Sequence, residues 1–374
     1  MISPEALARL EETILGAAAN LDRQDVERIS GVPVEDASKL WRALGFPDAV
    51  DGELAFTPLD AEALQQAAFL RNNDLLTESS AIQVTRAMGQ AMSHLAEAQM
   101  DIAVERLGQV PGIADIARSN PDQLVDLAIM SSAVLREPLE SLVLYVYRRH
   151  LLAAAQRYLS AATTNLNEGA ADLAVGFCDI SGFTSYTREL SQDELGELVE
   201  SFEATAFDIV VQRGGRVVKT LGDSVMFVTV SPGTAALIAL ELAEAFEDGT
   251  LGVPPVHVGI AHGPAVTRAG DVFGAAVNVA SRCTSIARPN TVVADRGMLD
   301  ALESDARFTL KRMRPHKVRG YDNLQVATVR WAYEGEERDE ERLARIERRL
   351  ERARRHAERA IVAIPALLHH EHEA

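Results

Sequence analysis

Val175-Gly-Phe-Cys-Asp-Ile-Ser-Gly-Phe-Thr184 is the stretch from which the rest of the chain can be interpreted. Its short apolar run ends at a carboxylate, Asp179, and continues directly into a Ser-Gly turn. An acid at the tip of a buried strand, beside a flexible polar turn, suits a metal ion and a phosphate group. The backbone N–H groups of Ser181 to Thr184 lead toward a helix, and such groups can cradle phosphate oxygens.

A second acid, Asp223, follows in the tight turn of Val217-Val-Lys-Thr-Leu-Gly-Asp-Ser-Val-Met-Phe227. The predicted strands 171–178 and 216–230 are neighbours in a β-α-β-β order, which would bring Asp179 and Asp223 to one end of a sheet. Two carboxylates near a glycine turn suit hard divalent ions such as Mg²⁺. Two such ions about 4 Å apart favour in-line displacement at phosphorus. Because Asp-Gly turns are common, two ordinary turns remain the alternative from these residues alone.

A third element is Ala269-Gly-Asp-Val-Phe-Gly-Ala-Ala-Val-Asn-Val-Ala-Ser-Arg282. It places Asp271 in a glycine-bounded loop, and Asn278 and Arg282 follow on a predicted helix. A spacing of four puts this amide and this guanidinium on one helix face, where together they can hold a sugar oxygen and a phosphate oxygen. The alternative is an aspartate that caps a helix with ordinary polar surface residues.

The half of the chain around these elements alternates strands with helices. The order β-α-β-β-α-β is the ferredoxin-like arrangement with additions at its end, so the predicted fold class of residues 170–333 is α+β. We expect strands at 171–178, 216–221, 224–230, 256–261, 291–294, 308–312 and 324–331. We expect helices at 192–213, 233–247, 275–287 and 296–302.

Residues 1–160 are predicted to form an all-helical domain, with long helices at 77–107 and 121–160, the second bent at Pro138. Residues 22–45 resemble a helix-turn-helix, which can bind DNA or simply pack as a helical pair. Residues 161–169 are predicted to be a linker. Residues 334–374 form a predicted charged helix and tail, and the histidines at 369–372 could bind a metal or lie in a frayed terminus.

Composition limits the classes of function. The net charge of -18 disfavours a protein built to bind nucleic acid, and the mixed face of residues 35–44 does the same. Cys178 and Cys283 are too few for a disulfide framework, which points to a reducing cytoplasm. The sequence shows no signal peptide and no apolar run long enough for a transmembrane segment. We therefore expect a cytoplasmic protein without a nucleic-acid partner.

Taken together, three blocks resemble the signature blocks of class III nucleotide cyclases. These are Phe177-Cys-Asp-Ile-Ser-Gly-Phe-Thr184, Lys219-Thr-Leu-Gly-Asp223 and Gly270-Asp-Val-Phe-Gly-Ala-Ala-Val-Asn-Val-Ala-Ser-Arg282. The resemblance covers roughly residues 168–332, with the blocks in the family's order and spacing. It implies a cyclase catalytic domain at 170–333.

The resemblance also implies roles for individual residues at the metal site. Asp179 and Asp223 would bind two divalent ions, Mg²⁺ or Mn²⁺, with the backbone carbonyl of Ile180 as a further ligand. Asn278 would position the ribose, and Arg282 would stabilise charge on the phosphorus in the transition state.

Further residues would bind the substrate. Lys219 and Asp271 match the pair that reads adenine, because a cation donates to ring nitrogen N1 while a carboxylate accepts from the exocyclic amine. This pair favours ATP over GTP. Phe183 and Thr184 in the phosphate-cradling turn would contact the substrate, and Arg319 would meet the triphosphate.

The family's active site lies between two catalytic domains, so one such domain per chain implies a symmetric homodimer. The helical residues 1–160 resemble the regulatory domain of some actinobacterial members, which implies autoinhibition and a response to pH. His150 and His94 lie on predicted helices there and are the regulatory candidates, although each could be an ordinary structural histidine. A non-catalytic nucleotide-binding signalling dimer and a DNA-binding regulator are the alternatives to an adenylate cyclase.

Overall fold

The computed structural model divides the chain into two compact units, Met1–Thr163 and Thr164–Ala374. The structure describes residues 2–73, 76–110, 112–164, 171–188, 190–247, 249, 251–332, 347 and 354. The predicted charged helix and tail at 334–374 lie outside the described residues, apart from two isolated helical positions, 347 and 354.

Helices form the first unit, as the sequence predicts. They are α1 (Pro4–Leu15), α2 (Arg23–Ser30), α3 (Val34–Leu44), α4 (Pro58–Asn72), α5 (Glu78–Gly108), α6 (Ile113–Ser119) and α7 (Asp122–Thr164). Ser3 caps α1 and Asp22 caps α2, because each side chain accepts a backbone N–H from the first turn. Among the described residues, no helix is both long enough and apolar enough to cross a bilayer.

The helix-turn-helix-like segment packs around aromatic rings. Trp41 on α3 lies with its ring centroid 4.8 Å from that of Phe46 and 5.1 Å from that of Phe56. Both cations of α3 are paired with acids: Lys39 contacts Asp36 and Glu78, and Arg42 contacts Asp48. The segment is therefore a packed helical pair whose positive charges are locally neutralised.

The second unit contains the α+β fold. Its elements are β1 (Ala171–Ile180), α8 (Phe183–Tyr186), α9 (Gln192–Gln212), β2 (Arg216–Thr220), β3 (Ser224–Thr229), α10 (Pro232–Ala245), β4 (Val256–Arg268), β5 (Asp271–Phe273), α11 (Ala275–Ile286), β6 (Val292–Asp295), α12 (Arg296–Leu302), β7 (Phe308–Arg312), β8 (His316–Val318), β9 (Tyr321–Leu324) and β10 (Val326–Trp331).

The main sheet has the strand order β2-β3-β1-β4-β6-β10-β7. The strand β1 is central and pairs antiparallel with both β3 and β4, while β4 pairs parallel with β6. This arrangement confirms the predicted α+β fold with its β-α-β-β-α-β order. It also places the end of β1, with its acid, between two neighbouring strands.

The two faces of the sheet bury different helices. Alternate residues of β1 point to opposite sides. Cys178 packs with α9 and α10 on one side, which we call the α9–α10 face. Val175 and Phe177 pack with α11 on the other, the α11 face. Asp179 continues the alternation of Val175 and Phe177, so it belongs to the α11 face.

Several element boundaries differ from the predictions. The helix α7 runs unbroken through Pro138 to Thr164, so it extends four residues into the predicted linker at 161–169. Ala161-Ala-Thr-Thr contains no helix breaker, and alanine favours continuation; residues 165–169 lie outside the described part. The structure also adds α6, β5 and the β8–β9 hairpin, which are too short to give a periodic signal.

Candidate active site

Two acids meet at one end of the sheet. Asp179 lies opposite Ser224, the first residue of β3. Asp223 ends the turn between β2 and β3, and its backbone carbonyl accepts a 2.9 Å hydrogen bond from the N–H of Ile180. Burial raises the pKa of the Asp223 carboxyl, and the negative charge of Asp179 raises it further. The two carboxylates therefore repel each other, and a cation bound to both would relieve the repulsion.

The acids fit the divalent ions that the resemblance implies. Among the described residues, no group of three or more His, Cys, Asp or Glu side chains could hold an ion by itself. An ion at Asp179 and Asp223 would complete its shell with backbone, water and phosphate oxygens, all hard ligands that suit Mg²⁺ or Mn²⁺. This donor set is suited to an ion that is shared with a phosphorylated ligand.

A histidine that sequence reasoning missed stands beside these acids. His257 on β4 lies directly opposite Asp179 in the strand register. Its Nε2 is 3.0 Å from Oδ2 of Asp179, and its Nδ1 is 2.9 Å from Oγ of Ser181. The alternation of Pro255-Val-His-Val258 could have placed His257 on the α11 face, but only the register of β4 against β1 brings it to Asp179.

Lys219 and Asp271 form an ion pair. The Nζ atom of Lys219 lies 2.9 Å and 2.7 Å from the two carboxylate oxygens of Asp271. Burial pushes the pKa of Asp271 upward, but hydrogen bonds from Lys219 and the Val272 N–H, with the charges of Lys219 and Arg216, hold it below its usual value. Asp271 is therefore an ionised carboxylate whose position is set by its hydrogen bonds to Lys219 and to the Val272 N–H.

The β4–β5 hairpin brings Asp271 to Lys219. At its tip, Ala269 and Gly270 adopt positive φ angles of 50° and 83°, which reverse the chain in two residues. Val272 is 2% exposed and belongs to the buried cluster on the α11 face, so the hairpin packs against that face. Arg216 on β2 donates a 2.8 Å hydrogen bond to the Gly270 carbonyl and ties down the tip.

The turn after β1 has the predicted form. Gly182 takes a left-handed conformation, with φ of 71°, and precedes the short helix α8. The Ser181 N–H donates to the carbonyl of Pro255 at 2.9 Å. Thr184 is exposed, whereas the Phe183 side chain packs against the core of the α9–α10 face. The ring of Phe183 is therefore partly buried, and Thr184 is the more accessible of the two side chains.

The helix α11 carries Asn278 and Arg282 but holds Asn278 far from the two acids. A Cβ added at Gly274, before α11, would lie 3.1 Å from the Cα of Ala265, so the helix begins at the far end of β4. Near the other end of α11, Thr284 lies against Gly259 of β4. Gly259 is two residues along β4 from His257, which is the residue opposite Asp179. Asn278 therefore lies about 15 Å from that position along the strand direction, given the helix and strand rises.

The remaining candidates lie elsewhere. Arg319 is exposed in the turn of the β8–β9 hairpin. In the helical unit, His94 on α5 and His150 on α7 are both exposed on helices, as the sequence predicts. Their regulatory role stays a prediction.

The catalytic half of the chain matches a known domain. Residues 167–330 match the family model of the adenylate and guanylate cyclase catalytic domain. An adenylyl cyclase structure from Pseudomonas aeruginosa aligns with 45% of this chain and 97% of its own, at 21% identity and a TM-score of 0.39.

Relatives in bacteria match both halves of the chain. An adenylate cyclase of Streptomyces coelicolor is 43% identical over 297 residues, which cover 79% of this chain and 74% of that protein. A pH-sensitive adenylate cyclase of Mycobacterium tuberculosis is 31% identical over 334 residues, covering 85% of this chain and 82% of that protein. The chain belongs to the class III adenylate cyclases.

Proposed function

We propose that this protein converts ATP to 3′,5′-cyclic AMP and pyrophosphate at sites shared between two identical chains. Two observations carry the proposal: the ion pair between Lys219 and Asp271, and the pair of acids Asp179 and Asp223 at one end of the sheet. The first supplies the chemistry to recognise adenine. The second supplies the chemistry to hold the ions that accompany a triphosphate.

Adenine presents an acceptor, N1, next to a donor, the 6-amino group. The ammonium of Lys219 can donate to the first while the carboxylate of Asp271 accepts from the second. Both groups are only about a third exposed and already held together, with side-chain exposures of 38% and 32%. Little ordering remains to be done when the base binds, and guanine would meet the opposite pattern of donors and acceptors.

Asp179, Asp223 and the Ile180 carbonyl would hold the two divalent ions. Those ions, when bound, lower the pKa of the ribose 3′-hydroxyl and neutralise the triphosphate. The ribose 3′-hydroxyl releases its proton to solvent, and its oxygen attacks the α-phosphorus. The bond between the α-phosphorus and the oxygen that bridges to the β-phosphorus breaks, and pyrophosphate leaves with that oxygen. The turn at Phe183 and Thr184 and the exposed Arg319 are proposed to hold the phosphates.

The position of Asn278 supports the shared site. At about 15 Å along the strand direction, its short side chain cannot reach ions or phosphates held at Asp179 of the same chain. A second chain packed around a two-fold axis would bring its own α11 to these acids. In that arrangement Asn278 orients the ribose and Arg282 stabilises the charge that develops on phosphorus.

The helical unit is proposed to be autoinhibitory and responsive to pH. The support is the match to a pH-sensitive relative across most of both chains. A site divided between two chains can be switched by rotating one against the other. We expect a segment beginning near residue 165 to be more active than the full chain at neutral pH, with His150 and His94 as the first histidines to replace. Equal activity of the segment and the full chain would contradict autoinhibition.

One assay tests the activity. The full chain is incubated with ATP and Mn²⁺ or Mg²⁺, and cyclic AMP is measured. We expect product from the wild type and almost none from Asp223→Ala. A wild type that binds ATP but forms no cyclic AMP would instead be a nucleotide-binding signalling dimer.

A further inference from the structure

His257 contacts the site without belonging to the three blocks that define it. It sits on β4 with an exposed side-chain fraction of 17%, against 30% for Asp179, so most of its imidazole is shielded from water. Its two ring nitrogens are both used: one faces the Asp179 carboxylate and the other the Ser181 hydroxyl. Because both ring nitrogens are hydrogen-bonded and the ring is largely buried, His257 is held in one orientation. An exposed histidine without such partners could rotate freely.

The surroundings define what the ring can do. Both neighbours of His257 in sequence, Val256 and Val258, are buried on the opposite face, so the backbone directs His257 toward the acids. The imidazole therefore faces Asp179 from the β4 side.

We propose that His257 is a positioning residue, which fixes the Asp179 carboxylate in the orientation that binds a divalent ion, and that Ser181 sets its ring. The inference rests on the proposed function, because it requires an ion at Asp179. In the neutral ring, Nε2–H donates a hydrogen bond to Oδ2 of Asp179, and Nδ1 accepts a hydrogen bond from the Ser181 hydroxyl. One carboxylate oxygen is thus occupied, and the other remains free to face Asp223 and the ion.

The local backbone makes Ser181 a rigid support. Its N–H is bonded to the carbonyl of Pro255, two residues before His257 on the same chain segment. The turn after β1 and the start of β4 are therefore joined twice, once through the backbone and once through the Ser181–His257 hydrogen bond. Replacing either side chain would free the Asp179 carboxylate to rotate, which costs metal affinity rather than folding.

The test measures Mn²⁺ binding directly, without substrate, by electron paramagnetic resonance of the free ion titrated with the full-length protein. We expect His257→Ala to weaken binding about 10- to 100-fold, the usual cost of losing an outer-shell partner. His257→Gln retains a donor near the position of Nε2 and should recover much of the loss. Ser181→Ala should fall between the wild type and His257→Ala.

Kinetics provide a second measurement. The Mn²⁺ concentration for half-maximal cyclic AMP formation should rise in His257→Ala, while kcat at saturating Mn²⁺ stays near the wild-type value. His262→Gln, a histidine replacement on the same strand, is the matched control and should change neither quantity. Ser181→Ala keeps the test decisive if the His257 variants fail to fold, because it removes only a hydroxyl.

The outcomes separate this proposal from its alternatives. Unchanged Mn²⁺ affinity in Ser181→Ala and His257→Ala would overturn it. Tighter Mn²⁺ binding in His257→Ala would mean that the imidazole competes with the ion, which also overturns it. The proposed activity fails separately, if the wild type binds Mn²⁺ and ATP but forms no cyclic AMP.

Discussion

Replacing Asp271 with alanine is the most informative single change to the base-reading pair. The side chain contacts Lys219 through both carboxylate oxygens and also accepts the Val272 N–H through Oδ1. Asp271→Ala removes these contacts and leaves the Lys219 ammonium without its partner. If the pair reads adenine, the change must weaken recognition of the 6-amino group in particular.

The two possible consequences differ in size. As a partly exposed ion pair, Lys219–Asp271 should contribute only about 0.2–1 kcal/mol to stability. As a charged hydrogen-bond acceptor for the base, Asp271 should contribute about 1.5–3 kcal/mol to binding in the transition state. We therefore expect kcat/KM for ATP to fall about 10- to 150-fold while the unfolding midpoint barely moves.

A double-mutant cycle isolates the contact with the amino group. The second perturbation is in the substrate: purine riboside triphosphate, which lacks the 6-amino group. We expect the wild type to prefer ATP over this analogue by about the same 10- to 150-fold, and Asp271→Ala to treat the two nearly alike. Cyclic nucleotide formation from each substrate gives the four kcat/KM values.

The reasoning is refuted if Asp271→Ala keeps the full preference for ATP over the analogue. Asp300→Ala provides the matched control, since it removes the acid of an exposed ion pair with Arg296 on α12, away from the acids of the site. That variant should leave all four values unchanged.

Two further predictions concern stability. At Gly176 an added Cβ would lie 2.1 Å from an aromatic ring on β3, whereas at Gly196, within α9, nothing lies within 4 Å. Gly176→Ala should therefore destabilise the protein by about 1–3 kcal/mol and Gly196→Ala should stabilise it by about 0.4–1 kcal/mol in urea unfolding, and equal effects would contradict the packing described. Burial raises the pKa of Asp295 in the folded state above its usual 3.8. As pH falls, Asp295 is therefore protonated in the folded protein at a higher pH than in the unfolded chain. As pH falls from 7 toward the usual carboxyl range, the stability of the wild type, measured by urea unfolding, should rise relative to that of Asp295→Asn. A relative loss of wild-type stability over this range would contradict the raised pKa of Asp295.

Much of the catalytic fold follows from local signals in the sequence. Between Ala171 and Ile180 a buried strand ends at an acid, and the Ser181-Gly turn follows with the left-handed glycine that such a turn needs. The hairpin around Asp223 can also be predicted locally, because a Gly222-Asp223 turn separates two apolar strands. Because sequential strands usually pair or neighbour one another, the meeting of Asp179 and Asp223 could be predicted from order alone.

Other parts of the site depend on register and on distant packing. His257 reaches Asp179 only because β4 pairs with β1 at one particular register, which short apolar strands do not specify by themselves. The β4–β5 hairpin is held against the α11 face by the buried Val272. The strand β5 has only three residues, which is too short for a periodic pattern that would predict it from sequence. The separation of Asn278 from the acids likewise follows from tertiary packing, because α11 begins at Ala275 beside Ala265 of β4, and not from the sequence of the helix itself.

The shared active site is the central claim, and a mixing experiment tests it most directly. Asp223→Ala removes the acid side of a site and Arg282→Ala removes the α11 side, so each homodimer should be nearly inactive. In an equimolar mixture that has exchanged chains, half of the dimers are mixed and each has one intact site of two. Cyclic AMP formation per chain should then return to about a quarter of the wild-type rate. A mixture as inactive as its two components, with chain exchange verified, would contradict a site built from two chains.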